Sequence, residues 1–139
     1  PAGSAELRAV PLHFVPHPGQ IVICDFTTGF VPPEMVKARP FVVVSPRRRR
    51  SRLVTGVPLS SAPPDPPEPW HCRISPASYP LARKPMWAKC DMLATVSLDR
   101  LDRVKAHRQG GTRAYRVFEA TAEDLSAIQG AIRAHLGLA

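Results

Sequence analysis

Five of the eight residues from 62 to 69 (Ala-Pro-Pro-Asp-Pro-Pro-Glu-Pro) are proline. A proline can neither donate to a sheet ladder nor sit inside a helix, so this stretch is expected to be a stiff, polyproline-like surface loop. The chain on either side must then fold as short pieces. Upstream, Pro18-Gly19 and Thr27-Thr28-Gly29 bound the β-branched run Ile21–Phe26, while Arg39-Pro40 and Ser45-Pro46 bound Phe41–Val44. A third run, Leu53–Leu59, follows the basic turn Arg47–Arg52. Such runs read as largely buried strands. Downstream, strands are expected at Trp70–Ile74 and Met86–Leu93, with short ones at Thr95–Leu98 and Tyr115–Phe118. The basic stretch Asp99–Arg113, with its Gly110-Gly111 turn, separates the last two. From Thr121 the period changes. A hydroxyl cap, Glu123 and Asp124 in the first turn, and Leu125, Ile128, Ile132 and Leu136 on one face predict an amphipathic helix. The expected fold class is mainly β, a small antiparallel β-barrel with one C-terminal α-helix laid against it. Residues 1–17 read as an N-terminal extension and 18–139 as the barrel domain.

A chain of 139 residues suits one such domain. No apolar run approaches the roughly 18 residues of a membrane span, and no secretory signal is visible, because Pro11 and His13 interrupt Ala9–Val15. A soluble cytoplasmic protein is expected. Cys24, Cys72 and Cys90 are odd in number and widely spaced, which predicts free thiols in a reducing compartment. Nineteen Lys and Arg against eleven Asp and Glu give a net charge of +8, which favours a polyanionic partner such as nucleic acid over a merely solubilising role.

Three ordered segments carry a resemblance: Pro18–Phe26 (Pro-Gly-Gln-Ile-Val-Ile-Cys-Asp-Phe), Lys37–Pro46 (Lys-Ala-Arg-Pro-Phe-Val-Val-Val-Ser-Pro) and Val57–Ser61 (Val-Pro-Leu-Ser-Ser). A fourth, Trp87-Ala88-Lys89-Cys90-Asp91, places a basic residue two positions before an aspartate. Together they resemble the PemK/MazF toxins across residues 18 to 136. The resemblance implies an SH3-like barrel that dimerises, cuts single-stranded RNA without metal or other cofactor, and is held in check by a cognate antitoxin with an acidic tail. In that chemistry the RNA's own 2′-OH attacks the adjacent phosphorus. The protein must then supply a base, an acid for the leaving 5′-oxygen, and positive charge for the phosphorane.

The resemblance assigns roles residue by residue. Arg39 matches the arginine of the family's Arg-Pro motif, held to stabilise the scissile phosphate, and its planar fork suits two phosphate oxygens. Ser60 falls at the position of the catalytic threonine and keeps the hydroxyl donor. Asp91 matches the aspartate assigned as general base in the Kid branch, and Lys89 occupies that segment's arginine position as a compact charge. A plain surface pair of Lys89 and Asp91 on one strand face is the structural alternative. The loop Gly29–Lys37 lacks the histidine of many relatives, His17 does not replace it by position, and Glu34 is the carboxylate available there for a base or gating role. Arg47, Arg48, Arg49 and Arg50, with Ser61, are the expected RNA contacts, and Trp70, Trp87 and Phe30 could stack on bases. His71-Cys72 is the only tight His/Cys pairing, and no metal site is expected from that spacing. The competing function is a non-catalytic barrel that binds nucleic acid or a protein, as in CcdB-like gyrase poisons. Those finish in Trp-Gly-Ile, unlike His135-Leu136-Gly137-Leu138-Ala139 here.

Overall fold

The structure, a computed structural model, describes residues 12–107 and 113–138. Its strands are β1 (Gln20–Asp25), β2 (Ala38–Val43), β3 (Leu53–Ser60), β4 (His71–Ile74), β5 (Met86–Lys89), β6 (Ala94–Ser97), β7 (Leu101–Asp102), β8 (Val104–His107), β9 (Arg113–Arg116) and β10 (Phe118–Glu119). One helix, α1 (Ala122–Leu136), follows. The expected class, mainly β and antiparallel with a C-terminal helix, is the one observed.

Two strands organise the sheet. β3 pairs with β2 along one edge, and along the other it pairs first with β6 through Leu53–Gly56 and then with β5 through Leu59 and Ser60. β1 likewise has β2 on one side and β10 and β7 in succession on the other. A strand that changes partner along one edge forces the sheet to bend there, and both faces become buried. Strand alternation then sorts the apolar runs into two clusters. Ile21, Val42, Val57, Leu59, Ile74 and Ala88 pack with Ile128 and Ala131 of α1. Val22, Cys24, Phe26, Phe41, Val43 and Val54 pack with Val96, Leu98 and Leu101 on the opposite face.

The helix starts as expected, with the Thr121 hydroxyl accepting from the Asp124 N–H at 3.1 Å, and it stops at Gly137 in the left-handed conformation (φ 69°). Its apolar face is shorter than the spacing predicts. Ile128 and Ala131 are buried, whereas Leu136 is 52% exposed. Asp124 ties this helix to the β4–β5 connection, where its Oδ2 accepts from the Ser75 N–H, the Ser75 hydroxyl (both 2.9 Å) and the hydroxyl of fully buried Ser78.

Several boundaries differ from expectation. β2 begins at Ala38 rather than Phe41, which brings Arg39 into the ladder opposite Cys24. The run Met86–Leu93 is not one strand. It ends at Lys89 and turns through a 3-10 segment, Cys90–Met92, because the Cys90 N–H is drawn to the Trp70 carbonyl (3.0 Å) and the Leu93 N–H to that of Cys90 (3.3 Å). Leu98 belongs to a second 3-10 turn, Leu98–Arg100, and not to β6. The basic stretch after Asp99 holds β7 and β8, where buried Val104 and Ala106 alternate with exposed Arg103 and Lys105, so charge masks a strand period. Tyr115–Phe118 divides between β9 and β10. The Gly110-Gly111 turn and residues 1–11 of the expected extension lie outside the described residues. Leu12 is buried, its N–H donating to the Leu101 carbonyl at 3.2 Å.

Two expected outcomes follow from this packing. A Cβ on Gly56 would stand 2.5 Å from both the Phe41 ring and the Val42 carbonyl oxygen, and neither can retreat within a paired strand. Gly56→Ala should therefore lower stability by about 1–3 kcal/mol, read from the denaturant midpoint. At Asp124, burial acts to raise the carboxyl pKa, but the hydrogen bonds from Ser78, Ser75 and Thr121 outweigh it and hold the group below its ordinary 3.8. The unfolded chain takes up the proton first. The contribution is complete above the ordinary carboxylate value and is lost as pH falls through the lower folded one. Urea midpoints followed downward from about pH 5 should fall more steeply for the wild type than for Asp124→Asn.

Candidate functional site

Arg39 and Phe41 share a face of β2, and Phe41 stands opposite Pro58 of β3. Ser60, two residues further along β3, lies on that same face and in line with Arg39. Ser60 stands opposite Trp87 of β5, and Trp87 opposite Arg73 of β4; in the next row Lys89 stands opposite His71. Four neighbouring strands thus contribute to one face three cations, a hydroxyl, an indole and an imidazole.

Their hydrogen-bond states differ. Arg39 is half-buried and donates from Nη1 to its neighbour's carbonyl, Ala38, at 3.3 Å, with no carboxylate paired to it among the described residues. Most of its fork is therefore available to a ligand. The Ser60 oxygen accepts from the Ala62 N–H at 3.1 Å, which leaves its O–H free to donate. Exposed Ser61 lines a groove of about 390 Å³ with Pro63, Arg73, Lys84, Pro85 and Trp87. Sequence reasoning missed Arg73 and Lys84, since the pairing of β4 with β5 that brings them beside Ser61 leaves no trace in local composition.

Asp91 sits on the 3-10 turn immediately after Lys89 and Cys90. It does not pair with Lys89 among the described residues; its Oδ1 lies 3.9 Å from Nε2 of His71. With Phe26, Phe30, Met35 and Glu34 it lines a cavity of about 370 Å³. Glu34 is partly occupied by its own loop, its Oε1 accepting from the Val31 N–H at 2.8 Å while its N–H returns to the Val31 carbonyl at 2.9 Å. His17 is elsewhere, 3.2 Å from Glu119.

The arginine run occupies the β2–β3 turn. Arg39 is the second residue of β2 and Ser60 ends β3, so Arg47–Arg50 lie at the far end of that hairpin, roughly 20 Å along the strands at ~3.3 Å per residue. Arg47 donates to the Val15 carbonyl at 2.7 Å, and all four side chains are exposed. Of the three expected stackers, Phe30 packs edge-on against Phe26 and beneath Arg100, and Trp70 packs against His71 and His135. Trp87 alone of the three lies on the cationic face. The three cysteines are free thiols. Burial pushes the Cys24 thiol up to about 12, while Cys72 donates to the Ala127 carbonyl of α1 at 3.2 Å on the helix-covered face. His71 and Cys72 therefore point to opposite faces of β4, and among the described residues no three His, Cys, Asp or Glu side chains gather as a metal would require.

Fold and face together place the chain among small antiparallel β proteins that carry one cationic face and one helix-covered face. The family model for PemK-like, MazF-like toxins of type II toxin-antitoxin systems matches residues 17–136, and the chain belongs to that family. Among solved structures, an endoribonuclease in complex with its cognate antitoxin from a mycobacterial species is similar at 24% identity and TM-score 0.64, over 90% of this chain and 98% of that one. MazF from Deinococcus radiodurans is similar at 19% identity and TM-score 0.67, over 90% and 99%. The Mycobacterium tuberculosis toxin MazF-mt6 is similar at 17% identity and TM-score 0.57, over 86% and 97%. At these identities the likeness is one of fold. No match is found among curated protein sequences.

Proposed function

We propose that this chain is the toxin of a type II pair and an endoribonuclease that cleaves single-stranded RNA without a metal ion. The observation that carries the reading is the shared face of Arg39, Ser60 and Lys89, with Asp91 on the turn that directly follows β5. In the proposed reaction Asp91 accepts the proton of the 2′-OH as that oxygen bonds to phosphorus. Arg39 holds two phosphoryl oxygens with its fork, the Ser60 O–H donates to one of them, and Lys89 adds a compact charge as the phosphorane gains negative charge. The P–O5′ bond breaks, the 5′-oxygen takes up a proton from solvent water, and a 2′,3′-cyclic phosphate remains. Arg73, Lys84 and Ser61 extend the face for flanking phosphates, and Trp87 offers a surface for one unpaired base.

In the partnership we propose, a homodimer is neutralised by a cognate antitoxin with an acidic C-terminal segment. Support comes from the net charge of +8 and from the mycobacterial endoribonuclease and Deinococcus MazF, each of which has been solved with its antitoxin.

Purified protein in excess chelator is expected to cut single-stranded RNA, and intact RNA with folded protein would refute the enzyme reading in favour of a binding module. Arg39→Ala and Asp91→Asn should each lower the single-turnover rate by about 10²–10³-fold with little change in melting temperature or RNA affinity, and Ser60→Ala should cost less. Near wild-type rates for Arg39→Ala would remove it from the site.

Salt dependence separates the two ends of the hairpin. For a short oligonucleotide, replacing Arg73 and Lys84 by Gln should reduce the slope of log affinity against log salt by about one per lost contact, while replacing Arg48–Arg50 should matter only for longer RNA. Equal effects on the short oligonucleotide would place the arginine run within the binding face.

A further inference from the structure

We propose that His71 is a positioning residue for Asp91, an inference that rests on reading Asp91 as the general base. The His71 side chain is only 10% exposed, so it does not present itself to RNA; Asp91, 38% exposed, does. His71 is fixed on both sides. Its Nδ1 accepts from the Glu68 N–H at 2.9 Å, and its own N–H returns to the Glu68 carbonyl at 2.9 Å. With Nδ1 committed as acceptor, the neutral ring carries its proton on Nε2, the nitrogen that faces Asp91 Oδ1 at 3.9 Å.

That arrangement decides what the imidazole can do. With Nδ1 met by a backbone N–H, the nitrogen that faces Asp91 is the donor one, so His71 is not placed as a relay for the proton that Asp91 removes. What it can do is donate. A rotation of the exposed carboxylate closes the remaining gap, directing Oδ1 to Nε2–H and leaving Oδ2 free for the 2′-OH; catalytic contacts are commonly longer in a free enzyme than in its complex. The two groups are also linked through the backbone, since the Cys90 N–H donates to the carbonyl of Trp70, the residue before His71, at 3.0 Å. The backbone segments that carry imidazole and carboxylate are therefore joined by a main-chain bond one residue away from each.

The test compares His71→Phe, which keeps a ring but has no donor, with His71→Gln, whose amide N–H can reach the place of Nε2. His71→Phe should slow single-turnover cleavage about 10–100-fold with unchanged RNA affinity. His71→Gln should recover most of that rate, and adding His71→Phe to Asp91→Asn should cost nothing further. Full activity in His71→Phe, or an additive loss in the double variant, would overturn the inference while leaving the nuclease reading intact. A second measurement is independent of cleavage. In the wild-type protein the ¹⁵N shifts of the His71 ring should report the Nε2–H tautomer and should move in Asp91→Ala. An Nδ1–H tautomer, or signals blind to Asp91→Ala, would overturn the inference even if the wild type cut no RNA.

Discussion

The divided edge of β3 is the constraint on which the rest depends. One strand of eight residues pairs with β2 on one side and with two successive partners on the other. The partner change bends the sheet, buries both faces, and aligns Ser60 with Trp87 of β5 and, through it, with Arg73 of β4. Gly56 lies directly against the Phe41 ring and the Val42 carbonyl, so the absence of a side chain at one position permits the close approach of β2. Arg39 at the start of β2 is then carried to the same end of the sheet as Ser60.

Much of this was legible in sequence, for definable reasons. The β-branched runs at β1 and β3 and the capped helix after Thr121 are local features, and local physics fixed them nearly to the residue. The breaks at Cys90 and Leu98 were not legible, because each turn depends on a backbone acceptor distant in sequence: the Trp70 carbonyl for Cys90 and the Arg52 carbonyl for Leu98. β8 was hidden by its Arg and Lys residues. Among the residues of the proposed site, Arg39, Ser60, Lys89 and Asp91 were singled out through motif order alone. His71, Arg73 and Lys84 acquire meaning only from the pairing of β4 with β5, which no local pattern announces.

The charge of the molecule is divided. Arg39, Arg73, Lys84 and Lys89 gather near the C-terminal end of β3, while Arg47–Arg50 project from the turn before it. Among the described residues only the first group adjoins an indole, that of Trp87. The second is a bare electrostatic feature whose field extends about one Debye length, ~8 Å at physiological salt, and so does not reach the first group.

The proline-rich segment 62–69 supplies, through Glu68, both main-chain contacts of the His71 residue. A loop of five prolines has few conformations to lose, folded or unfolded. Ordering it therefore costs less conformational entropy than a loop of ordinary residues, where each fixed backbone costs about 1–2 kcal/mol. The imidazole is thus met by a segment that has little conformational freedom to lose on folding.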